Sequence, residues 1–214
     1  MRVLMFGWEF PPHIAGGLGT ACYGMTRGLA ENGVEVLFVM PSASGDEDQS
    51  SVRIINASDV AVDTMSETVD EFLGKVRFVH VGTNMVPYVS PEDFSSVVEE
   101  ERARQIKDFR ITYGQKYQFS GKYGTNLMEE VARYGMVGGT IALQHCDEFD
   151  VIHAHDWLTY LAGIAAKQLT GKPLVVHVHA TSFDRSSDDN IDTRVYDLEK
   201  RGMEAADRVI TVSE

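Results

Sequence analysis

A short apolar run, Val3-Leu4-Met5-Phe6, followed by a glycine-bearing loop and then a helical stripe, confines this chain to a narrow set of folds. An uninterrupted apolar strand offers no polar face to water, so it belongs in a parallel sheet covered on both sides. The loop reads Gly7-Trp8-Glu9-Phe10-Pro11-Pro12-His13-Ile14-Ala15-Gly16-Gly17-Leu18-Gly19-Thr20. Beyond it Leu18, Cys22, Met25 and Leu29 recur at helical spacing, and Asn32-Gly33 stops the helix. Glu35-Val36-Leu37-Phe38-Val39-Met40, closed by Pro41, is the next strand. A β-loop-α-β unit over 2–40 follows, with parallel strands and a right-handed crossover.

The back half repeats that grammar. Val151-Ile152-His153-Ala154-His155-Asp156 reads as a strand and Leu158 to Leu169 as a helix stopped by Gly171 and Pro173. Leu174-Val175-Val176-His177-Val178-His179 is a further strand, Asp192 to Ala206 a charged helix, and Arg208 to Val212 a last strand. Asn126 to Cys146 is a helix whose Gly135, Gly138 and Gly139 point to close packing. The region 42–125 is less regular. Candidate strands are Val52 to Ile55, Val60 to Val62 and Val76 to Val81, with room for a hairpin, and Pro91 to Asp108 reads as an acidic helix. The fold class is α/β: a doubly wound, mostly parallel sheet with helices on both faces, as one domain over 1–214 with an elaborated middle. The 214 residues suffice for one large domain and would cramp two.

The net charge of −13 repels polyanions, so nucleic acid is not an expected partner. Cys22 and Cys146 show no metal or redox spacing and read as reduced structural residues. The N-terminal apolar run is too short for a signal peptide and no run approaches the ~18 residues that span a bilayer. The expected compartment is the cytoplasm, without membrane insertion.

In an open parallel sheet ligands bind beyond the carboxyl ends of the strands. The glycine loop, His155-Asp156-Trp157, His179 with Thr181 and Ser182, and Ser213-Glu214 all fall there. Glycines at a helix start let backbone N–H groups approach an anion or a hydroxyl, though the same glycines also suit a plain tight turn. Strand alternation puts His153 with His155 and His177 with His179, the later member of each pair nearer the ligand edge. His155 and His179 are therefore the site candidates, and His153 and His177 read as satisfied core residues. Asp156 either caps the following helix or holds a ligand hydroxyl. Trp157 is a packing residue or a stacking platform. The loop Tyr113 to Gly124, rich in tyrosine and glycine, either stacks on sugar or is pinned to the surface by its aromatics. No metal is expected, since alternating histidines lie at different depths and no separate ligand set closes a shell. The dinucleotide fingerprint fails, with Met40-Pro41 where an acid belongs, and the Gly-Lys-Ser/Thr phosphate loop is absent.

Together these blocks resemble the first half of a retaining, GT-B-type glycosyltransferase, closest to the glycogen and starch synthases. The resemblance rests on Glu9-Phe10-Pro11-Pro12 leading into Gly16-Gly17-Leu18-Gly19, on Glu31 to Val36, on His153-Ala154-His155-Asp156-Trp157, on Lys172-Pro173 leading to His177-Val178-His179, and on Ala206 to Ser213. It implies an N-terminal, acceptor-side, Rossmann-like domain facing a nucleotide-sugar-binding domain that this stretch does not contain. By resemblance, Gly16, Gly17, Leu18 and Gly19 approach the donor phosphates, and His179 and Asp156 are the catalytic-site residues. His155, Trp157, Tyr123, Asn126 and Tyr134 similarly border the acceptor or the sugar.

The implied reaction transfers glucose with retention from ADP-glucose or UDP-glucose, as substrate rather than cofactor, to a glucan acceptor. In that family retention is described as same-face displacement without a protein nucleophile, and no Ser–His–acid arrangement or carboxylate pair is assignable here. The domain by itself is expected to be inactive, and its exposed interdomain face leaves room for self-association. Two positions depart from the bacterial glycogen synthases: Ile14 stands in place of lysine and Thr20 in place of an acid. They admit a transferase for exopolysaccharide or glycolipid, and a non-catalytic glycan-binding module is the reading from another class.

Overall fold

The computed structural model describes residues 1–63, 66–69, 72, 113–186 and 191–212. Its strands are β1 (Arg2–Phe6), β2 (Glu35–Met40), β3 (Arg53–Asn56), β4 (Val151–His155), β5 (Leu174–Val178) and β6 (Arg208–Thr211). They form one six-stranded sheet in the order β3-β2-β1-β4-β5-β6, and every pairing is parallel. The helices are α1 (Gly17–Glu31), α2 (Leu127–Gln144), α3 (Trp157–Thr170), α4 (Ser182–Arg185) and α5 (Thr193–Ala205).

The chain winds from β1 outward to β3 and later from β4 outward to β6, so the direction reverses between β1 and β4. Right-handed crossovers in opposite directions put their helices on opposite faces, which buries the central strands twice. Accordingly Leu4, Met5, Phe6, Phe38, Val39, Ile152, Ala154 and Val176 are buried. Each of these side chains other than Ala154 contributes roughly 1.5–3 kcal/mol relative to exposure. At the amino end, Arg2 seals the β1/β4 seam: its N–H donates to Asp150 Oδ2 at 2.8 Å and its Nη2 to Asp150 Oδ1 at 2.8 Å, across 148 positions of sequence.

Close packing explains particular small residues. A Cβ on Gly138 of α2 would meet the Cβ of Ala162 on α3 at 2.6 Å, and one on Gly7 would enter the Phe38 ring. Asn32 follows α1 as its C-cap, and Gly33 at φ 72° and Gly171 at φ 68° turn the chain out of α1 and α3. These are left-handed turns that glycine makes without strain.

The middle region departs from expectation. β3 joins β2 in parallel, and the other candidate hairpin arm, 76–81, lies outside the described residues. Val60 to Val62 is not a strand of the sheet, and Ala61 makes only an isolated antiparallel bridge to Lys116. Val62 satisfies its own backbone on the later loop, donating to Gln115 O at 3.0 Å and accepting from Gly114 N at 2.6 Å. The strand expected over 76–81, the helix over 91–108 and Ser213-Glu214 lie outside the described residues.

Candidate functional site

The exits of β1, β4 and β5 stand side by side at the reversal point of the sheet. In this topology that crevice receives ligands.

The loop after β1 is organised by Glu9, which is buried. Its Oε2 accepts from Ala15 N at 2.7 Å, and its Oε1 accepts from Gly16 N and Gly19 N, both at 3.2 Å. The chain's own carboxylate thus occupies part of the N–H cradle that the glycine pattern suggests for an incoming anion. Gly16 and Gly17 have no close neighbour that a Cβ would strike. Gly19 has a packing reason, since a Cβ there would meet Ile14 Cγ2 at 2.5 Å and Glu9 Cγ at 2.9 Å. Leu18 is a core residue at 4% exposure, so its side chain anchors the loop while only its backbone remains near the crevice.

Asp156 follows β4 with φ 58° and ψ 169°, a conformation that is essentially glycine's own. It stands at the N-cap of α3, yet its side chain makes no cap hydrogen bond, which corrects the capping expectation. The backbone turn swings the carboxylate toward the neighbouring strand instead. There Oδ1 accepts from His179 N at 2.7 Å and Oδ2 from Arg185 Nη2 at 3.0 Å. Burial pushes the Asp156 carboxyl up, and the Arg185 charge with the N–H groups of His179 and Ala180 works against that.

Arg185 ties this corner to α5. It reaches Glu199 Oε1 at 3.2 Å through Nη1, and its Nη2 also donates to Ala180 O at 2.7 Å. Glu199 Oε2 in turn accepts from the backbone and hydroxyl of Ser182 at 3.0 and 2.8 Å. Both carboxylates are buried. The segment carrying His179 is therefore clamped from two sides. A capping box between Thr181 and Asp184 starts α4, the short helix that delivers Arg185.

Four imidazoles line one face of β4 and β5 where His155 stands opposite His177. Ring centroids lie 4.3 Å apart for His153 and His155, 5.1 Å for His155 and His177, and 4.4 Å for His177 and His179. His155 Nδ1 is 3.0 Å from His179 Nε2. His179 is half-buried, whereas His155 has no exposed surface, so a ligand in the open crevice meets His179 rather than His155. Burial, reinforced by the neighbouring imidazoles, lowers His155 well below the usual histidine range and takes His153 to about 4. Burial lowers His177 and His179 as well, with His179 lowered further by Arg185. The cluster is neutral at pH 7. His153 and His177 are core residues as expected, but not satisfied ones: His153 Nε2, His155 Nε2 and His177 Nδ1 are buried without a hydrogen-bond partner.

The remaining candidates separate. Trp157, 2% exposed, packs in the core rather than offering a stacking face. Tyr134 is fully buried, its hydroxyl 3.0 Å from Gly7 O and 2.8 Å from Val39 O, and so fastens α2 to the ends of β1 and β2. Tyr123 is half-buried and Asn126 exposed at the start of α2. Tyr117 and Phe119 of the aromatic loop are buried, which is the pinned arrangement, while Tyr113 is exposed. Sequence reading missed Glu9, Arg185 and Glu199 as builders of the site. The Thr181 to Asp184 capping pattern was the available sign of α4, and hence of Arg185.

A family model described as the starch synthase catalytic domain matches residues 2–214. An uncharacterised glycosyltransferase of Methanocaldococcus jannaschii is 25% identical over 218 residues, covering 100% of this chain and 40% of the relative. A glycogen synthase of Mycobacterium tuberculosis is 25% identical over 216 residues, covering 100% of this chain and 42% of the relative. Among solved structures, sucrose-phosphate synthase from Thermosynechococcus elongatus shares the fold with a TM-score of 0.53 at 13% identity, over 97% of this chain and 41% of that one. The chain spans about two fifths of the length of the curated relatives it matches.

Proposed function

This chain belongs to the starch synthase catalytic domain family of glycosyltransferases, and from that membership we propose that it is the acceptor-side half of a glycogen or starch synthase-like enzyme. The proposed reaction moves glucose from ADP-glucose or UDP-glucose to an α-glucan with retention. The donor nucleotide is held mainly by a second domain of the same polypeptide, and the stretch described here is inactive without it. No step is assigned to a cofactor.

One observation carries this reading: half-buried His179 is held at the exit of β5 by Asp156 through its backbone and by His155 through its ring. With Nε2 engaged by His155, Nδ1 is the nitrogen that would meet a sugar hydroxyl. A neutral imidazole suits that contact because it can donate or accept without the desolvation cost of a charge. A group fixed before substrate arrives contributes more to catalysis than one that must be ordered on binding. Asp156, its oxygens taken by His179 and Arg185, braces this exit rather than attacking the sugar. That agrees with same-face displacement, in which the protein positions and the leaving diphosphate assists the incoming hydroxyl.

Ile14 favours a second reading within the class, a transferase for another glycan. Its side chain packs toward Gly19 where the bacterial glycogen synthases would present a lysine to phosphate. The deciding experiment measures donor turnover by the full-length gene product with ADP-glucose and UDP-glucose on glycogen, beside His179→Ala. Turnover that collapses in the variant supports the proposal and names the donor. A folded full-length protein inert with both donors overturns it in favour of another sugar or a glycan-binding role.

A further inference from the structure

We propose that His153, His155 and His177 form a binding site for a divalent transition metal of the zinc class. One nitrogen from each of the three rings lies within 4.8 Å of the others. Three buried nitrogens, His153 Nε2, His155 Nε2 and His177 Nδ1, have no hydrogen-bond partner. Buried polar atoms left unpaired are costly, and binding an ion is one of the few physical reasons to keep them. One strand by itself supplies histidines at different depths, with no separate ligand to close the shell. The in-register pairing of β4 and β5 removes that objection, because His177 arrives beside His155 from the next strand.

The contact between His155 and His179 fits the same reading. When His155 Nδ1 donates its proton to His179 Nε2, 3.0 Å away, the lone pair of His155 falls on Nε2, the unpartnered atom. Metal-bound histidines are held in this way, with the other ring nitrogen hydrogen-bonded to fix tautomer and orientation. Neutral imidazole is the ligating form. Zinc–nitrogen bonds of about 2.0–2.1 Å set the donors roughly 3.4 Å apart, so binding turns the three rings, which lie within 36° of parallel, until their in-plane lone pairs converge. Three imidazoles leave a fourth position open for water or a ligand atom, and this donor set suits zinc, cobalt, nickel or copper rather than magnesium or calcium.

The test is metal binding by the purified, tag-free full-length gene product after chelator treatment and gel filtration. Zn²⁺ is titrated by calorimetry and Co²⁺ by its visible absorption, in wild type, His153→Gln, His177→Gln and the control His13→Gln. His13 is on the surface, outside the cluster. One metal per chain is expected, with a tetrahedral cobalt spectrum, at least ~10-fold weaker binding in each cluster variant and unchanged binding in the control. Equal affinity in wild type and the cluster variants overturns the proposal. Absence of stoichiometric binding by the folded wild type also overturns it, so the outcome does not depend on the variants folding. Binding is read without turnover, so its failure leaves the transferase proposal standing, and failure of that proposal leaves this one standing.

Discussion

The Asp156 carboxylate accepts the backbone N–H of His179 at 2.7 Å, joining the exits of β4 and β5 with a bond that the sheet ladder does not supply. It holds there at the cost of a backbone conformation worth about 1–3 kcal/mol of strain. In the proposed full-length transferase, Asp156→Ala should release His179 and lower turnover by roughly 10²-fold, since misplacing a reacting group by about 1 Å is enough for that. Steady-state kinetics should show the loss mainly in kcat. An Asp156→Ala enzyme with wild-type kcat would remove Asp156 from the positioning role.

Arg185 neutralises two buried carboxylates at once, Asp156 at 3.0 Å and Glu199 at 3.2 Å. Arg185→Met should destabilise the chain by about 3–5 kcal/mol, because both acids are left uncompensated. Adding Asp156→Ala to that variant should cost less than the sum of the single changes, since one stranded charge is removed. Urea denaturation of the four species completes the cycle, and strict additivity would contradict the clamp.

Glu9 accepts three backbone N–H groups of the glycine loop. Glu9→Gln should lose about 1.5–3 kcal/mol, as an amide replaces a charged acceptor and turns its own N–H₂ toward one of the donors. Hydrogen exchange should then speed up at Ala15, Gly16 and Gly19 ahead of the strands. Unchanged protection at those amides would show that the carboxylate does not hold the loop.

Gly138→Ala would drive a Cβ to 2.6 Å from the Cβ of Ala162, between two packed helices. A destabilisation of about 1–3 kcal/mol is expected, against the gain that alanine brings to an open helix. Thermal melts compare it with Gly28→Ala, where a Cβ meets nothing within 4 Å. A rise in Tm for Gly28→Ala beside a fall for Gly138→Ala would separate packing from helix propensity.

Asp192 caps α5 by accepting from Arg194 N at 2.9 Å. Burial by itself would raise its carboxyl, but the Arg194 side chain and the backbone N–H groups overcome that and hold it below the usual carboxylate range. Its contribution is therefore complete above the unfolded value of about 3.9 and is lost as pH falls toward the lower folded value. Asp192→Ala should cost about 1 kcal/mol near neutrality, and its gap from wild type should close below about pH 4. Urea midpoints at pH 7, 5 and 3 test the sign, which a widening gap in acid would reverse.

The strands and long helices were legible because each apolar run is bounded by its own stop, such as Asn32-Gly33, Pro41 or Gly171-Lys172-Pro173. Pairing direction was not written there: nothing in Val52 to Ile55 itself says that it joins β2 in parallel. α4 has four residues, too few to show a helical period. At the site, the positions of His155, Asp156 and His179 along their strands could be read from alternation. The direction of the Asp156 carboxylate could not, because it follows from φ 58° rather than from residue type. The reach of Glu9 to amides six to ten positions later likewise depends on how the loop curls.

Because β1 takes one of its two neighbours from β4, as the Arg2 and Asp150 contact records across 148 positions, the middle of the sheet is completed only after those residues have been made. At about 5–20 residues per second the ribosome needs roughly 7–30 s to travel that far. Throughout that interval β1 presents an open, apolar edge to whatever else is emerging. Assembly of this protein is thus exposed to strand mispairing before its ligand crevice exists, and a holding chaperone at the exit tunnel should raise its yield more than it would for a helical chain of equal length.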